Sequence, residues 1–134
     1  MSGYSGTPLP QKLGIKPGQR VAFLDAPLAF AAALGELPDG VAPRAQARGP
    51  LDLVVAFFRE RDRLTRRLPV LIGALHPAGA LWIAWPKRAS KVATDITEDV
   101  VRELGLAAGV VDVKVCAIDE TWSGLKLVVR RRDR

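Results

Sequence analysis

Three short apolar runs, with hardly any polar interruption, stand out along the chain. They are RVAFL at 20–24, LDLVVAFF at 51–58 and ALWIAW at 80–85. Runs of this length, rich in branched and aromatic residues, are typical of strands that are buried on both faces. Such strands belong to parallel sheets that helices cover on both sides. The third run, between Gly79 and Pro86, is predicted to be the central strand.

Apolar residues at helical spacing follow the first two runs. After the first run, Asp25 is placed to cap a helix and Pro27 to lie in its first turn. In 59–76, leucine and isoleucine recur at spacings of three, four and seven, with arginines mostly on the opposite face. Pro69 is predicted to kink or break this second helix, and His76 to lie at its C-terminal end.

A third helix is predicted after the central strand, beginning within TDITED at 94–99. Asp95 and Glu98 have the spacing of a capping box, and acidic residues in a first turn complement the helix dipole. Gly105 is predicted to end this helix. For the two carboxylates, a pair that performs acid–base chemistry is the functional alternative to the structural role.

The C-terminal part has a different pattern. Residues 111–117 and 125–129 alternate in polarity, which predicts an antiparallel pair at one side of the sheet, and 41–50 predicts a weak edge strand. The order of elements predicts an α/β fold: a Rossmann-like, doubly wound, mostly parallel sheet with an antiparallel C-terminal strand. A single Rossmann-like α/β domain at 20–134 is expected, after an extended N-terminal arm at 1–19 that is rich in glycine, proline and serine.

Cysteine and histidine usage restricts the classes of site. The lone Cys116 excludes an intramolecular disulfide and fits a reducing compartment. One cysteine and one histidine cannot build an ordinary structural zinc site, so no metal is expected. No apolar run approaches the roughly 20 residues of a membrane span, and the N-terminus has no signal pattern. A cytoplasmic location without a membrane partner is therefore predicted.

Half of the net charge of +6 comes from the last five residues, where four arginines follow the final apolar run. An arginine-rich end can bind phosphates or an acidic partner. The alternative is a solvated strand end that aids solubility. Because no aromatic residues interleave the basic ones, as single-strand binders require, the solvated end is favoured and nucleic acid is not the expected partner.

The turn after the first strand lacks glycine, and this absence is the most informative feature of the sequence. A nucleotide-binding turn there is normally rich in glycine, because the backbone must closely approach a phosphate or ribose. This chain has LDAPL at 24–28 and no glycine from Val21 to Leu34. The pattern argues against a dinucleotide or similar cofactor at this turn, and no cofactor is predicted.

Three motifs resemble a bacterial family of unknown function, domain of unknown function 3052. They are WIAWPKRAS at 82–90, TDITEDVVRE at 94–103 and VCAIDETWSGLKLVVRR at 115–131, and the likeness covers nearly all of the chain. More loosely, the second strand with its helix and the closing strand pair look like the second half of a Rossmann-like methyltransferase. That likeness implies a fold, and the chain departs from it where S-adenosylmethionine would sit, because the glycine-rich turn is missing.

Ligand sites in such sheets lie just beyond the carboxyl ends of the strands. A cleft along this edge is therefore hypothesised, with Lys87 as its charged contact and a tryptophan as its flat apolar wall. Asp95 or Glu120 would accept a hydrogen bond there. The alternative is that the tryptophans are core and the charged residues are caps or surface groups. The ligand-binding candidates are Trp85, Lys87, Thr94, Asp95, Glu120, Trp122 and Ser123.

Two classes of function remain. The first, which the missing glycines favour, is a non-catalytic Rossmann-like module that binds a small ligand or a protein partner, with a homodimer through the edge strand as one form. The second is a small enzyme, methyltransferase-like or nucleotide-dependent, that acts through Lys87, Asp95 and Glu120. Nucleic-acid binding through the arginine-rich C-terminus is a third, weaker alternative.

Overall fold

The computed structural model describes residues 6–134, and the part of the predicted arm before Gly6 lies outside the described residues. A five-stranded sheet has helices on both of its faces. A short helix occupies part of the segment that the composition predicts as extended. In chain order the elements are α1 (Leu9–Leu13), β1 (Val21–Leu24), α2 (Leu28–Leu34), β2 (Leu51–Phe57), α3 (Arg61–Gly73), β3 (Leu75–Pro86), α4 (Glu98–Ala107), β4 (Val110–Ala117) and β5 (Trp122–Val129).

The strands lie in the order β1-β2-β3-β5-β4, so β3 is central. β1, β2 and β3 are parallel, and Val54 of β2 lies opposite Leu81 of β3. β5 runs antiparallel to both of its neighbours, β3 and β4. The predicted fold class is confirmed: a doubly wound, mostly parallel sheet with an antiparallel C-terminal strand. The apolar runs at 51–58 and 80–85 are neighbouring parallel strands.

Two layers of buried apolar side chains enclose the sheet. On one face, Leu64 and Leu71 of α3 and Val101 of α4 pack against alternate strand residues. On the other face, Leu13 of α1 and Phe30 of α2 pack against the remaining strand residues. The strands are buried on both sides, which explains why their sequences are continuous apolar runs instead of alternating ones.

The segment before β1 is fastened to the sheet at Trp82. The indole Nε1 of this fully buried residue donates to the carbonyl of Leu13 at 2.9 Å. A buried indole N–H needs such an acceptor, so α1 satisfies a polar group that the core would otherwise leave unpaired.

The ends of the first two long helices differ from the sequence predictions. Asp25 does not cap α2, because Pro27 is the N-cap residue and Asp25 lies two residues further back with a left-handed φ of 56°. Pro69 does not break α3, which continues to Gly73. A proline removes one N–H from the helix ladder, and the buried leucine face of α3 outweighs that loss. His76 is not at the helix end, because pairing with β2 starts β3 at Leu75.

The capping predicted for α4 is also different. Thr97 is the N-cap residue, and its Oγ1 accepts the N–H of Val100 at 3.2 Å. The predicted Asp95–Glu98 capping box is therefore wrong, although Glu98 does lie in the first turn. Gly105 does not end α4, which continues to Ala107. This glycine is buried where the helix packs closely on Leu127 of the sheet.

The predicted weak edge strand at 41–50 is reduced to one bridge. Arg44 exchanges two backbone hydrogen bonds with β1: its N–H donates to Val21 at 2.9 Å, and its carbonyl accepts from Phe23 at 2.8 Å. Pro43 precedes this residue and has no N–H to continue a ladder. The segment therefore borders β1 without forming a strand.

Candidate functional site

The carboxyl ends of the parallel strands and the start of β5 meet at one edge of the sheet. Pro86 at the end of β3 lies opposite Trp122 at the start of β5. The N–H of Lys87 donates to the carbonyl of Thr121 at 2.7 Å. Lys87 and Trp122 therefore lie on the same side of the molecule, as the hypothesis of a cleft at this edge requires.

A cleft of about 510 Å³, which we call the edge cleft, opens at the carboxyl ends of β1 and β2. Its lining combines an aromatic wall with charged side chains from the β1–α2 turn and from the start of α3. The lining residues are Asp25, Pro27, Phe57, Phe58, Arg59, Glu60, Arg63 and Trp122.

The aromatic wall continues into the core through edge-to-face contacts. The ring of Trp122 meets that of Phe57 at 5.1 Å, with an interplanar angle of 84°. Phe57 in turn contacts Phe30 of α2 at 4.9 Å. Such pairs stabilise by about 0.5–1.5 kcal/mol beyond simple burial. The wall is therefore held by the body of the protein.

Residues of the β4–β5 connection fix the position of Trp122. The Oδ1 of Asp119 accepts the N–H groups of Thr121 and Trp122, both at 2.8 Å. The carbonyl of Trp122 accepts the N–H of Ile118 at 2.9 Å. A tight turn thus presents the half-buried indole to the cleft.

An ion pair spans the charged side of the edge cleft. Nη2 of Arg63 lies 2.6 Å from Oδ2 of Asp25, and both side chains are about half exposed, at 47% and 55%. The pair joins the β1–α2 turn to the first turn of α3. Because exposed ion pairs are worth about 0–1 kcal/mol, a polar ligand can compete for either partner.

Thr94 and Asp95 hold the start of α3 from outside. Oδ1 of Asp95 accepts the N–H of Arg61 at 2.7 Å, and Oγ1 of Thr94 donates to the carbonyl of Arg59 at 2.6 Å. Asp95 therefore caps α3, a helix remote in sequence. Both residues also line a shallower depression of about 290 Å³, which shares Arg59 and Glu60 with the edge cleft.

The remaining candidates lie apart from the edge cleft. Trp85 is 6% exposed and belongs to the core layer beneath α3 and α4, and Ser123 lies opposite it in register. Trp85 is therefore a core residue here and cannot share a wall with Trp122. Lys87 is half-buried beyond the end of β3, and Glu120 is exposed in the β4–β5 connection.

Most residues of the edge cleft were missed from the sequence. Asp25 directly follows β1, and Phe58, Arg59 and Glu60 directly follow β2. The rule that ligands bind beyond strand carboxyl ends applies to these strands as much as to β3. The aromatic and proline residues at the end of the third run favour β3 in the sequence, whereas the cleft lies beyond β1 and β2. Arg63 could be found only once α3 was known to begin at this edge.

The described residues include neither a group of metal ligands nor an activated cysteine. Within 6–134, no group of three or more His, Cys, Asp or Glu residues is placed to hold a metal ion. Burial raises the pKa of the Cys116 thiol, against the opposing charges of Lys12 and Lys114, so this thiol is a weak nucleophile. Nor does any described helix have the length and apolar character to cross a membrane.

The chain belongs to the family described as protein of unknown function (DUF3052), whose sequence signature matches residues 11–131. This confirms the family resemblance carried by the three motifs. No curated protein matches the chain.

Solved structures share the fold. A magnesium protoporphyrin IX methyltransferase from Synechocystis PCC 6803 with bound SAH has a TM-score of 0.56 and 12% identity, over 84% of this chain and 75% of that chain. A ribosomal protein L11 methylase from Lactobacillus delbrueckii subsp. bulgaricus has a TM-score of 0.59 and 16% identity, over 92% of this chain and 76% of that chain. The fibrillarin pre-rRNA processing protein of Methanococcus jannaschii has a TM-score of 0.59 and 13% identity, over 86% of this chain and 68% of that chain. The chain therefore has a methyltransferase-like fold.

Proposed function

We propose that this DUF3052 protein is a non-catalytic module that binds a small ligand in the edge cleft. The observation that carries the proposal is the composition of that cleft, which an aromatic wall and a half-exposed ion pair line together. Small-molecule sites combine apolar and aromatic lining with a few placed polar groups, and they occur at this edge of α/β sheets. A protein partner, including a second copy of the chain, is the other form of this binding function.

The lining indicates the kind of ligand. The half-buried indole of Trp122, supported from behind by the buried ring of Phe57, offers a flat apolar surface. Arg59, Glu60 and the paired side chains of Arg63 and Asp25 line the same cleft. A ligand that joins a flat ring to an anionic or hydrogen-bonding group matches both sides. Its polar group would replace one partner of the Asp25–Arg63 pair.

S-adenosylmethionine, which relatives of this fold bind, does not fit the residues at the first turn. In place of glycines that let a cofactor approach the main chain, the turn has Asp25, Ala26 and Pro27. The Asp25 carboxylate is engaged with Arg63 across the cleft. The Asp25 side chain thus stands at the turn where a glycine would leave the main chain open to the cofactor.

The second candidate function is a small methyltransferase-like or nucleotide-dependent enzyme. One observation favours it: Asp25 has a left-handed φ of 56°, a conformation that glycine adopts most easily. The bend of the turn is therefore compatible with a glycine-bearing one, even though the side chain is not. Binding of the methyl donor distinguishes this candidate from the first.

A thermal-shift screen over nucleotides, nucleosides, aromatic carboxylates, S-adenosylmethionine and its product tests the proposal. We expect a stabilising hit among flat anionic compounds, and calorimetry should show that Arg63→Gln weakens its binding. Arg66→Gln is the matched control, because Arg66 is exposed one turn along α3 and does not line the cleft.

Three outcomes of that screen would count against the proposal. Equal binding by both variants would place the ligand elsewhere. A saturable shift with S-adenosylmethionine would favour the enzyme. No hit in any class would leave a protein partner as the form of binding. The cytoplasmic location remains a proposal from the sequence.

A further inference from the structure

A second polar surface lies on the sheet face that carries α1 and α2, further along β5 from the Trp122 wall of the edge cleft. Three lysines from different segments converge there, and we call them the lysine face: Lys16, Lys114 and Lys126. Lys114 of β4 lies directly opposite Lys126 of β5 in register, so both side chains leave the same face of the sheet. Lys16 comes from the segment after α1.

The neighbouring arm brings these charges together. Nζ of Lys126 lies 3.7 Å from the position that a β-carbon on Gly14 would occupy, so it reaches the end of α1. Nζ of Lys12 donates to the carbonyl of Ala117 at 3.4 Å, close to the same strand pair. Lys114 and Lys16 are exposed and Lys126 is half-buried, so the face is open to solvent.

The lysine face has no local neutralisation. Among residues 6–134, none of Lys16, Lys114 and Lys126 has a carboxylate within ion-pair distance. Burial lowers the pKa of Lys126, and the charges of Lys114 and Lys16 lower it further. On the opposite face of the same strands, Arg102 is bonded to three carboxylates. The like charges are thus concentrated on one face.

Facing lysines destabilise a strand pair, and a polyanion would relieve that repulsion. We propose that the lysine face binds the phosphate backbone of double-stranded nucleic acid without regard to sequence. Lysine ammonium groups contact phosphates as point charges, and a pI near 10.1 with a cluster of lysines on one sheet face fits the electrostatic footprint of a nucleic-acid-binding surface. Trp82, the aromatic residue paired with Lys126, is fully buried, so its ring cannot stack on unpaired bases.

Fluorescence anisotropy with two labelled duplexes of unrelated sequence tests this surface. We expect equal affinity for both duplexes and a steep loss of affinity from about 50 to about 200 mM salt. Lys114→Gln/Lys126→Gln should reduce the slope of log Kd against log salt by about 2, because each lost phosphate contact contributes about 0.9. Arg44→Gln/Arg48→Gln, which removes two exposed charges beside β1 at the other edge of the sheet, should leave the slope unchanged.

A third variant and a footprint complete the design. Arg131→Gln/Arg132→Gln removes charge from the C-terminal end, and in the wild-type protein bound duplex should protect Lys114 and Lys126 from acetylation. The footprint needs no substitution, so it stands even if a variant folds poorly. No duplex binding, a slope changed only by the C-terminal variant, or tighter binding to poly-glutamate than to duplex would each overturn the proposal.

Discussion

Asp25 has a backbone conformation that glycine adopts freely and other residues rarely do, with a φ of 56°. Its side chain pairs with Arg63 across the edge cleft at 2.6 Å. Aspartate tolerates this conformation better than most residues. The missing glycine in the first turn was visible in the sequence. The ion pair that replaces it was not, because Arg63 is 38 residues away in the chain.

Gly79 lies where the ladder between β2 and β3 shifts register. A β-carbon there would lie 2.8 Å from the carbonyl oxygen of Leu51 and 2.9 Å from that of His76. Backbone atoms cannot move aside cheaply, so we expect Gly79→Ala to lower the free energy of unfolding by about 1–3 kcal/mol. Urea denaturation measures this.

Gly73 provides the control for that measurement. No heavy atom lies within 4 Å of its would-be β-carbon, and it ends α3. Gly73→Ala should therefore be neutral or stabilising by up to about 1 kcal/mol. Equal destabilisation by the two substitutions would show that the close approach at Gly79 is not what limits that position.

Lys126 is expected to destabilise the fold. Its pKa is lowered from the usual 10.5 by burial and by Lys114 and Lys16, so folding disfavours its charged form. Lys126→Met should raise the free energy of unfolding at neutral pH by about 0.2–1 kcal/mol, the usual size of a cross-strand pair interaction, because it removes one of two like charges that face each other.

The stability that Lys126→Met adds is expected to fall as the pH rises. Because the unfolded chain holds the proton more tightly, wild-type stability rises with pH between the lowered pKa and 10.5. The advantage of Lys126→Met should therefore shrink across this window, which thermal melts at several alkaline pH values measure. An advantage that grows with pH would contradict the assignment of the repulsion to Lys126.

At the scale of elements, strands were easier to predict than helix ends. The runs at 51–58 and 80–85 are strands because their apolar residues fill both core layers. Helix ends depend on groups remote in sequence. Asp95 was predicted to cap the helix that follows it, but its carboxylate caps α3, 34 residues earlier in the chain. Local spacing could not reveal that choice.

Asp95 is predicted to stabilise the start of α3. Asp95→Ala leaves the N–H of Arg61 without its acceptor, so we expect a loss of about 0.5–2 kcal/mol in the free energy of unfolding. Glu103→Ala is the control, because Glu103 is exposed on α4. Hydrogen exchange should show faster exchange at the start of α3 in the first variant. Unchanged exchange there, with faster exchange in α4, would restore the capping box read from the sequence.

At the scale of the whole molecule, the sequence predicts the sheet, and the proposed edge cleft lies at the edge where strand carboxyl ends meet. It did not predict which strand ends form the cleft. The motif WPK at 85–87 favours a site at the end of β3. Trp85, however, is buried beneath α3 and α4 and does not line the edge cleft. The lysine face was also hidden, because Lys114 and Lys126 meet only through strand register.

The central claim is that the edge cleft binds a small ligand and that the β1–α2 turn excludes an adenosyl cofactor. Amide and indole chemical-shift mapping by NMR tests this most directly, with the best screening hit and S-adenosylmethionine titrated separately. We expect the hit to shift Asp25, Arg59, Arg63 and the Trp122 indole, and S-adenosylmethionine to shift none of them. Saturable shifts centred on Asp25–Leu28 with S-adenosylmethionine, or a hit that leaves the Trp122 indole unmoved, would contradict it.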